Sequence, residues 1–124
     1  MLRIVGVQRS VNPQNEFVLL QNHGSLRAVL RGHVILGDCV LEGGDLGDFA
    51  FAFSDCEPIP PGLYVLLTTG MGSPHWTKTR DGFHVFHTFM NRSHAVWNEC
   101  EGPLHVLTTQ HTYCTRKQEP MLIG

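Results

Sequence analysis

The chain has 124 residues, of which 42% are hydrophobic and 16% charged. That is one domain's worth of protein, and it lacks the compositional bias of disordered, collagen-like or coiled-coil chains. Nine Lys and Arg against eleven Asp and Glu leave a formal charge of −2, so no global basic field draws the protein onto DNA or an anionic membrane. Protonation of all eight histidines would add eight charges and turn −2 into +6, which makes mild acid the condition that changes its surface most.

The apolar residues recur with a period of two along most of the chain, the signature of strands. Leu2 and Ile4 alternate with polar or outward residues in a first strand that ends near Arg9, and Asn12-Pro13-Gln14-Asn15 reads as a turn. Glu16-Phe17-Val18-Leu19-Leu20 is apolar on both faces, as in a strand covered on each side. After a turn at Asn22-His23-Gly24-Ser25, residues Leu26 to Leu36 supply one long strand or two short ones around Gly32.

Residues 37–57 hold six acids (Asp38, Glu42, Asp45, Asp48, Asp55, Glu57) and no Lys or Arg, the pattern of a solvated loop region. Within it, Phe49-Ala50-Phe51-Ala52-Phe53 projects three rings to one face of a strand. Glu57-Pro58-Ile59-Pro60-Pro61-Gly62 is predicted to be an extended loop and turn, with no ladder and no helix. Leu63 to Thr69 is a strand that stops at Gly70-Met71-Gly72-Ser73-Pro74. Further strands are predicted at Phe83–Phe89, His94–Asn98, Leu104–Thr109 and Thr112–Arg116, and a turn or two of helix around Trp76–Arg80. Eight or nine short strands with frequent turns give an all-β sandwich or barrel. The domain spans residues 1–117, and 118–124 form a short C-terminal tail whose Met121-Leu122-Ile123 could dock on an apolar surface.

Several pieces occur in an order that resembles the lamin-tail domain family. Asn15-Glu16-Phe17-Val18-x-Leu20-x-Asn22-x-Gly24, followed by Leu30-Arg31-Gly32, is similar to the family's opening half. Pro60-Pro61-Gly62-Leu63-Tyr64-Val65-Leu66 resembles its Pro-Pro-Gly-x-Tyr segment, and Ala95-Val96-Trp97-Asn98 its aromatic strand. The matches run from about Ile4 to Leu107. His33 stands where the family usually has Trp, and Gly102-Pro103 where it has Gly-Asp. The resemblance implies an immunoglobulin-like β-sandwich acting as a non-catalytic module that binds protein or assembles with itself. Low overall charge and abundant Phe make a homodimer the expected assembly.

Other chemistry has less to rest on. Cys39, Cys56, Cys100 and Cys114 form no CxxC pair, and their spacing suits neither a zinc ribbon nor a redox motif. Two disulfides in three connectivities stay open, although the expected cytoplasmic setting favours free thiols. That setting follows from an N-terminal region with no apolar stretch of signal-peptide length, and no run reaches membrane-span length. His75, His84, His87, His94, His105 and His111 are the candidate ligands of an alternative reading, a histidine-based metal-binding protein or metal-dependent hydrolase. Their spacing fixes no ligand set: residues three apart in a strand point to opposite faces, and His105 and His111 would lie about 20 Å apart. No metal ligand is therefore assigned and no cofactor is implied. Asp38, Glu42, Asp45 and Asp48 do not follow the EF-hand pattern, and no nucleophile elbow or thiol-enzyme signature is present.

The candidate ligand-binding residues are Trp76, Lys78 and Arg80. In an extended segment they share a face, with an aromatic platform beside two cations, which can stack a base or hold a phosphate. The same pattern belongs to an ordinary edge strand guarded by Lys. Weak nucleic-acid binding is thus a second alternative.

Overall fold

The computed structural model describes residues 1–43 and 47–109. Among these, ten strands and one single-turn helix form an all-β, sandwich-like fold. The strands are β1 (Leu2–Gln8), β2 (Phe17–Asn22), β3 (Ala28–Val29), β4 (His33–Gly37), β5 (Ala50–Ala52), β6 (Pro58–Ile59), β7 (Tyr64–Thr68), β8 (His75–Lys78), β9 (His84–Phe89) and β10 (Leu104–Thr108); the helix is α1 (Asp38–Leu41). A five-stranded sheet runs in the order β1-β2-β7-β9-β8, a three-stranded one in the order β10-β4-β5, and β3 pairs with β6. All pairings are antiparallel except β7 with β9.

Alternation builds the core as the sequence pattern requires. In β2, Val18, Leu20 and Asn22 are buried while Phe17, Leu19 and Gln21 are half-buried. Val18 lies opposite Leu67, and Leu20 opposite Val65, so one face of β2 and β7 turns inward as a set. Leu2 and Ile4 continue that face, and Phe86 extends it in β9. Ile35, Phe53, Leu30 and Ile59 meet it from the smaller sheets, with Phe49, Phe51, Leu104 and Val106 packed around them. Trp97 and Val96 close the core from the segment after β9. At about 2 kcal/mol per fully buried apolar side chain, this shared core outweighs any single surface contact.

The two-strand option for Leu26 to Leu36 is the one realised. The backbone at Gly32 has φ +97°, so the chain turns between β3 and β4 in a conformation that costs other residues energy. His33, at the position where Trp was expected, is buried, and its Nδ1 lies 3.2 Å from the Leu30 carbonyl.

Four local expectations are corrected. Pro58–Ile59 does form a ladder, with Ile59 opposite Ala28 and Pro58 opposite Val29. A two-residue edge pairing tolerates proline because its missing donor need not face the partner strand. Trp76–Arg80 is not helical: His75–Lys78 is a strand pairing with β9, where the Trp76 ring lies 5.3 Å from that of Phe86 at a tilt of 52°. His94–Asn98 is not a strand, since Trp97–Glu99 is a 3₁₀ turn. The helix lies instead at Asp38–Leu41, in the acidic stretch, with Asp38 in its first turn, where a carboxylate is favoured.

That acidic stretch is not a uniformly solvated loop. Asp38 meets His105 at 2.9 Å, Asp55 accepts from Thr88 Oγ1 at 2.7 Å, and Glu57 accepts from Trp76 Nε1 at 3.0 Å. Asp45, Cys114, His111, the predicted strand Thr112–Arg116 and the 118–124 tail lie outside the described residues. No helix of the described residues is long and apolar enough to cross a membrane.

Candidate functional site

Three features of the fold carry side chains arranged beyond simple packing: the β8 edge, a buried carboxylate beneath a cleft, and a cluster of rings on the outer face of the large sheet.

β8 is the last strand of the five-stranded sheet, and all four of its residues are exposed. Trp76 and Lys78 lie two apart on the strand and share a face with Phe86 and His84, their partners in β9. Arg80 does not join them. The chain leaves β8 after Lys78 and turns at Thr79–Phe83, held by hydrogen bonds from Gly82 N to the Thr79 carbonyl and from Thr79 N to the Phe83 carbonyl. Glu57 stands against the indole, its carboxylate accepting the Nε1 hydrogen bond. The aromatic platform therefore carries one cation and one carboxylate, whose charges offset each other and leave no net attraction for a phosphate backbone.

Glu16 is fully buried at the start of β2. Its Oε2 accepts from Thr69 Oγ1 at 2.8 Å, from Val96 N at 2.8 Å and from Trp97 N at 3.1 Å. Its Oε1 accepts from Asn98 N at 2.8 Å and, at 3.4 Å, from Ser10 N. Three consecutive amides converge on one carboxylate, which a strand cannot supply because its N–H groups alternate in direction; a helical turn can. This is the physical reason why the 94–98 segment is a turn. Arg9 fixes the same segment from outside, with Nε donating to the Trp97 carbonyl at 2.9 Å. Above it opens a cleft of about 280 Å³ lined by Asp48, Phe49, Arg92, Ser93, His94, Ala95, Val96 and Glu99. Its walls carry both signs of charge.

Asn22 is a second buried polar anchor. Its side-chain amide donates to the carbonyls of Leu26 and Ile59, and its carbonyl accepts from Gly24 N. The turn after β2 and the β6 segment are thereby held to the same strand end.

The histidines are spread rather than gathered. His75 and His87 stack in parallel on the outer face with ring centroids 4.7 Å apart, and Phe89 lies 6.1 Å from His75. The His75 Nδ1 lies 2.7 Å from the Ser73 carbonyl, and His87 Nε2 2.7 Å from Thr77 Oγ1. Desolvation, and then the neighbouring His75, lower the pKa of His87 below its ordinary value. His84 and His94 are exposed. His105 is occupied by Asp38. Among the described residues no three His, Cys, Asp or Glu side chains come together in a way that could hold a metal ion.

Cys39 at the first turn of α1 and Cys100 after the 3₁₀ turn bring their sulfurs within 2.6 Å. Their mutual hydrogen bond is the main reason the Cys39 thiol titrates above its ordinary value. Neither this pairing nor the role of Glu16 had a signal in the sequence, since the partners lie 61 and about 80 positions away. The chain matches no known family model, no curated protein and no solved structure.

Proposed function

We propose that this protein is a non-catalytic, lamin-tail-like β-sandwich module that assembles with a second copy of itself through the β8 edge. The single observation carrying this reading is that β8 is an open edge strand, all four of its residues exposed, whose sequence is self-complementary. An antiparallel pairing of two β8 strands about Thr77 sets Thr77 opposite Thr77 and Lys78 of each copy opposite Trp76 of the other. The ammonium then faces an indole that already holds the Glu57 carboxylate, so a cation meets a ring and an anion at once. Unpaired strand edges associate in this way unless guarded, and here the Lys that would guard the edge has a ready partner across it. The ordered sequence motifs support the family reading. So does the way the chain uses them, with Glu16 and Asn22 as buried anchors at the two ends of β2 and a positive φ at Gly62 before β7.

Analytical ultracentrifugation over a concentration range tests this. The expected result is a monomer–dimer equilibrium that Lys78→Glu weakens at least tenfold, through repulsion of Glu57, and that adding Glu57→Lys to Lys78→Glu restores. A wild-type chain that stays monomeric at several hundred micromolar refutes the reading. A dimer indifferent to Lys78→Glu removes β8 as its interface.

A further inference from the structure

We infer that Cys39 and Cys100 are a site of covalent modification: an intramolecular disulfide that forms when the protein meets a small-molecule disulfide oxidant of the glutathione type. The inference is independent of the assembly reading and rests on different residues.

The two sulfurs lie 2.6 Å apart, well inside the contact distance of two non-bonded sulfur atoms. They are presented by ordered elements rather than by loop tips. Cys39 sits in the first turn of α1, directly after β4, and Cys100 caps the 3₁₀ turn that Glu16 holds through three amides. The space between them is provided by Gly37: a Cβ built at that position would come within 2.5 Å of the Cys100 sulfur and 3.5 Å of the Cys39 sulfur. Any other residue at 37 would push Cys100 away.

The two thiols also differ in the way the chemistry requires. Cys39 is half-buried and reachable, whereas Cys100 is only 2% exposed. The Cys39 thiolate attacks one sulfur of the oxidant, forming a mixed disulfide and releasing one equivalent of the small thiol. Cys100, after losing its proton to solvent, attacks the Cys39 sulfur and releases the second equivalent. Two protein thiols lose two electrons in total, and the oxidant is reduced to two thiols. Burial of Cys100 keeps it from reacting with external reagents, so the mixed intermediate resolves internally. Because the Cys39 thiol is raised by its partner, the reaction runs faster at pH 9 than at pH 7.

The bond would join points 61 residues apart and tie the α1 end of β4 to the segment that lines the cleft through Val96 and Glu99. A loop of that length restricts the unfolded chain strongly, and a rise in melting temperature of roughly 10 °C is expected. In an oxidising compartment the bond would persist, and in a reducing one the thiol pair would remain.

The test is peptide mapping of the full chain after incubation with oxidised glutathione, with free thiols blocked by an alkylating reagent before digestion. The expected product is one Cys39–Cys100 crosslinked peptide, lighter by two hydrogens than the sum of its parts, and a melting temperature that falls back when the bond is reduced. The Cys56→Ser/Cys114→Ser double variant should behave identically, because the bond needs only the sulfurs of Cys39 and Cys100. Cys39→Ser should abolish both crosslink and oxidant-dependent melting. Recovery of Cys39 and Cys100 as alkylated thiols while Cys56 carries glutathione would overturn the inference, as would a crosslink that involves Cys56 or Cys114.

Discussion

Removing the Glu16 carboxylate should be the most damaging single change at an unassuming position. In Glu16→Ala, the amides of Val96 and Trp97 lose their acceptor in a buried setting, while Thr69 Oγ1 loses its partner and Asn98 N lies nearer to solvent. A buried donor left unpaired costs about 1–3 kcal/mol, and a hydrogen bond to a charged acceptor contributes about 1.5–3 kcal/mol. Two stranded amides at about 2 kcal/mol each set the expected loss near 4 kcal/mol, a large part of the ~5–15 kcal/mol that holds a domain of this kind. Glu16→Gln keeps one carbonyl oxygen, which can take the Oε2 place and hold Thr69, Val96 and Trp97, but its amide group then faces the N–H groups of Asn98 and, at longer range, Ser10. The one close mismatch, at Asn98, predicts a loss of about 2 kcal/mol. Urea unfolding with a constant m-value measures both variants, and native-state hydrogen exchange should show amides 96–98 losing protection first in each. If Glu16→Ala unfolds within about 1 kcal/mol of wild type, or Glu16→Gln is the worse of the two, the carboxylate is not the organiser of this segment.

Two further outcomes follow from backbone and charge. Gly32→Ala places a Cβ on a residue with φ +97° and should lower stability by about 1–2 kcal/mol, read as a shift in the urea midpoint; a neutral result would mean the β3–β4 turn can relax. His87 is harder to protonate in the fold than in the unfolded chain, so the unfolded state takes up more protons as the pH drops through the ordinary histidine value of 6.5. Its contribution is therefore fully present above that value and is lost as the pH falls to its lowered folded-state pKa. Melting curves at pH 7.5 and 5.5 should show a smaller difference in His87→Gln than in wild type; an unchanged difference assigns the acid sensitivity to other groups.

What the sequence determined by itself is the set of properties that depend on neighbours along the chain. The alternation in Leu2–Gln8, Phe17–Asn22 and His84–Phe89 makes strands, because a period of two puts apolar side chains on one face whatever lies beyond. Gly32 and the prolines before Gly62 place turns for equally local reasons, and together these impose an all-β chain. Tertiary structure decided what depends on distant partners. Val96, Trp97 and Asn98 carry a strand-like pattern, yet they form a turn because one carboxylate some 80 residues earlier needs three amides pointing the same way. Trp76 and Lys78 share a face as their spacing implied, but Arg80 leaves it, since β8 ends where its pairing with β9 ends. Cys39 and Cys100 touch only because β4 and β10 are neighbours in one sheet, a pairing that no local period encodes. Side-chain period is a property of a segment, whereas the convergence of charges, amides and thiols is a property of the closed fold.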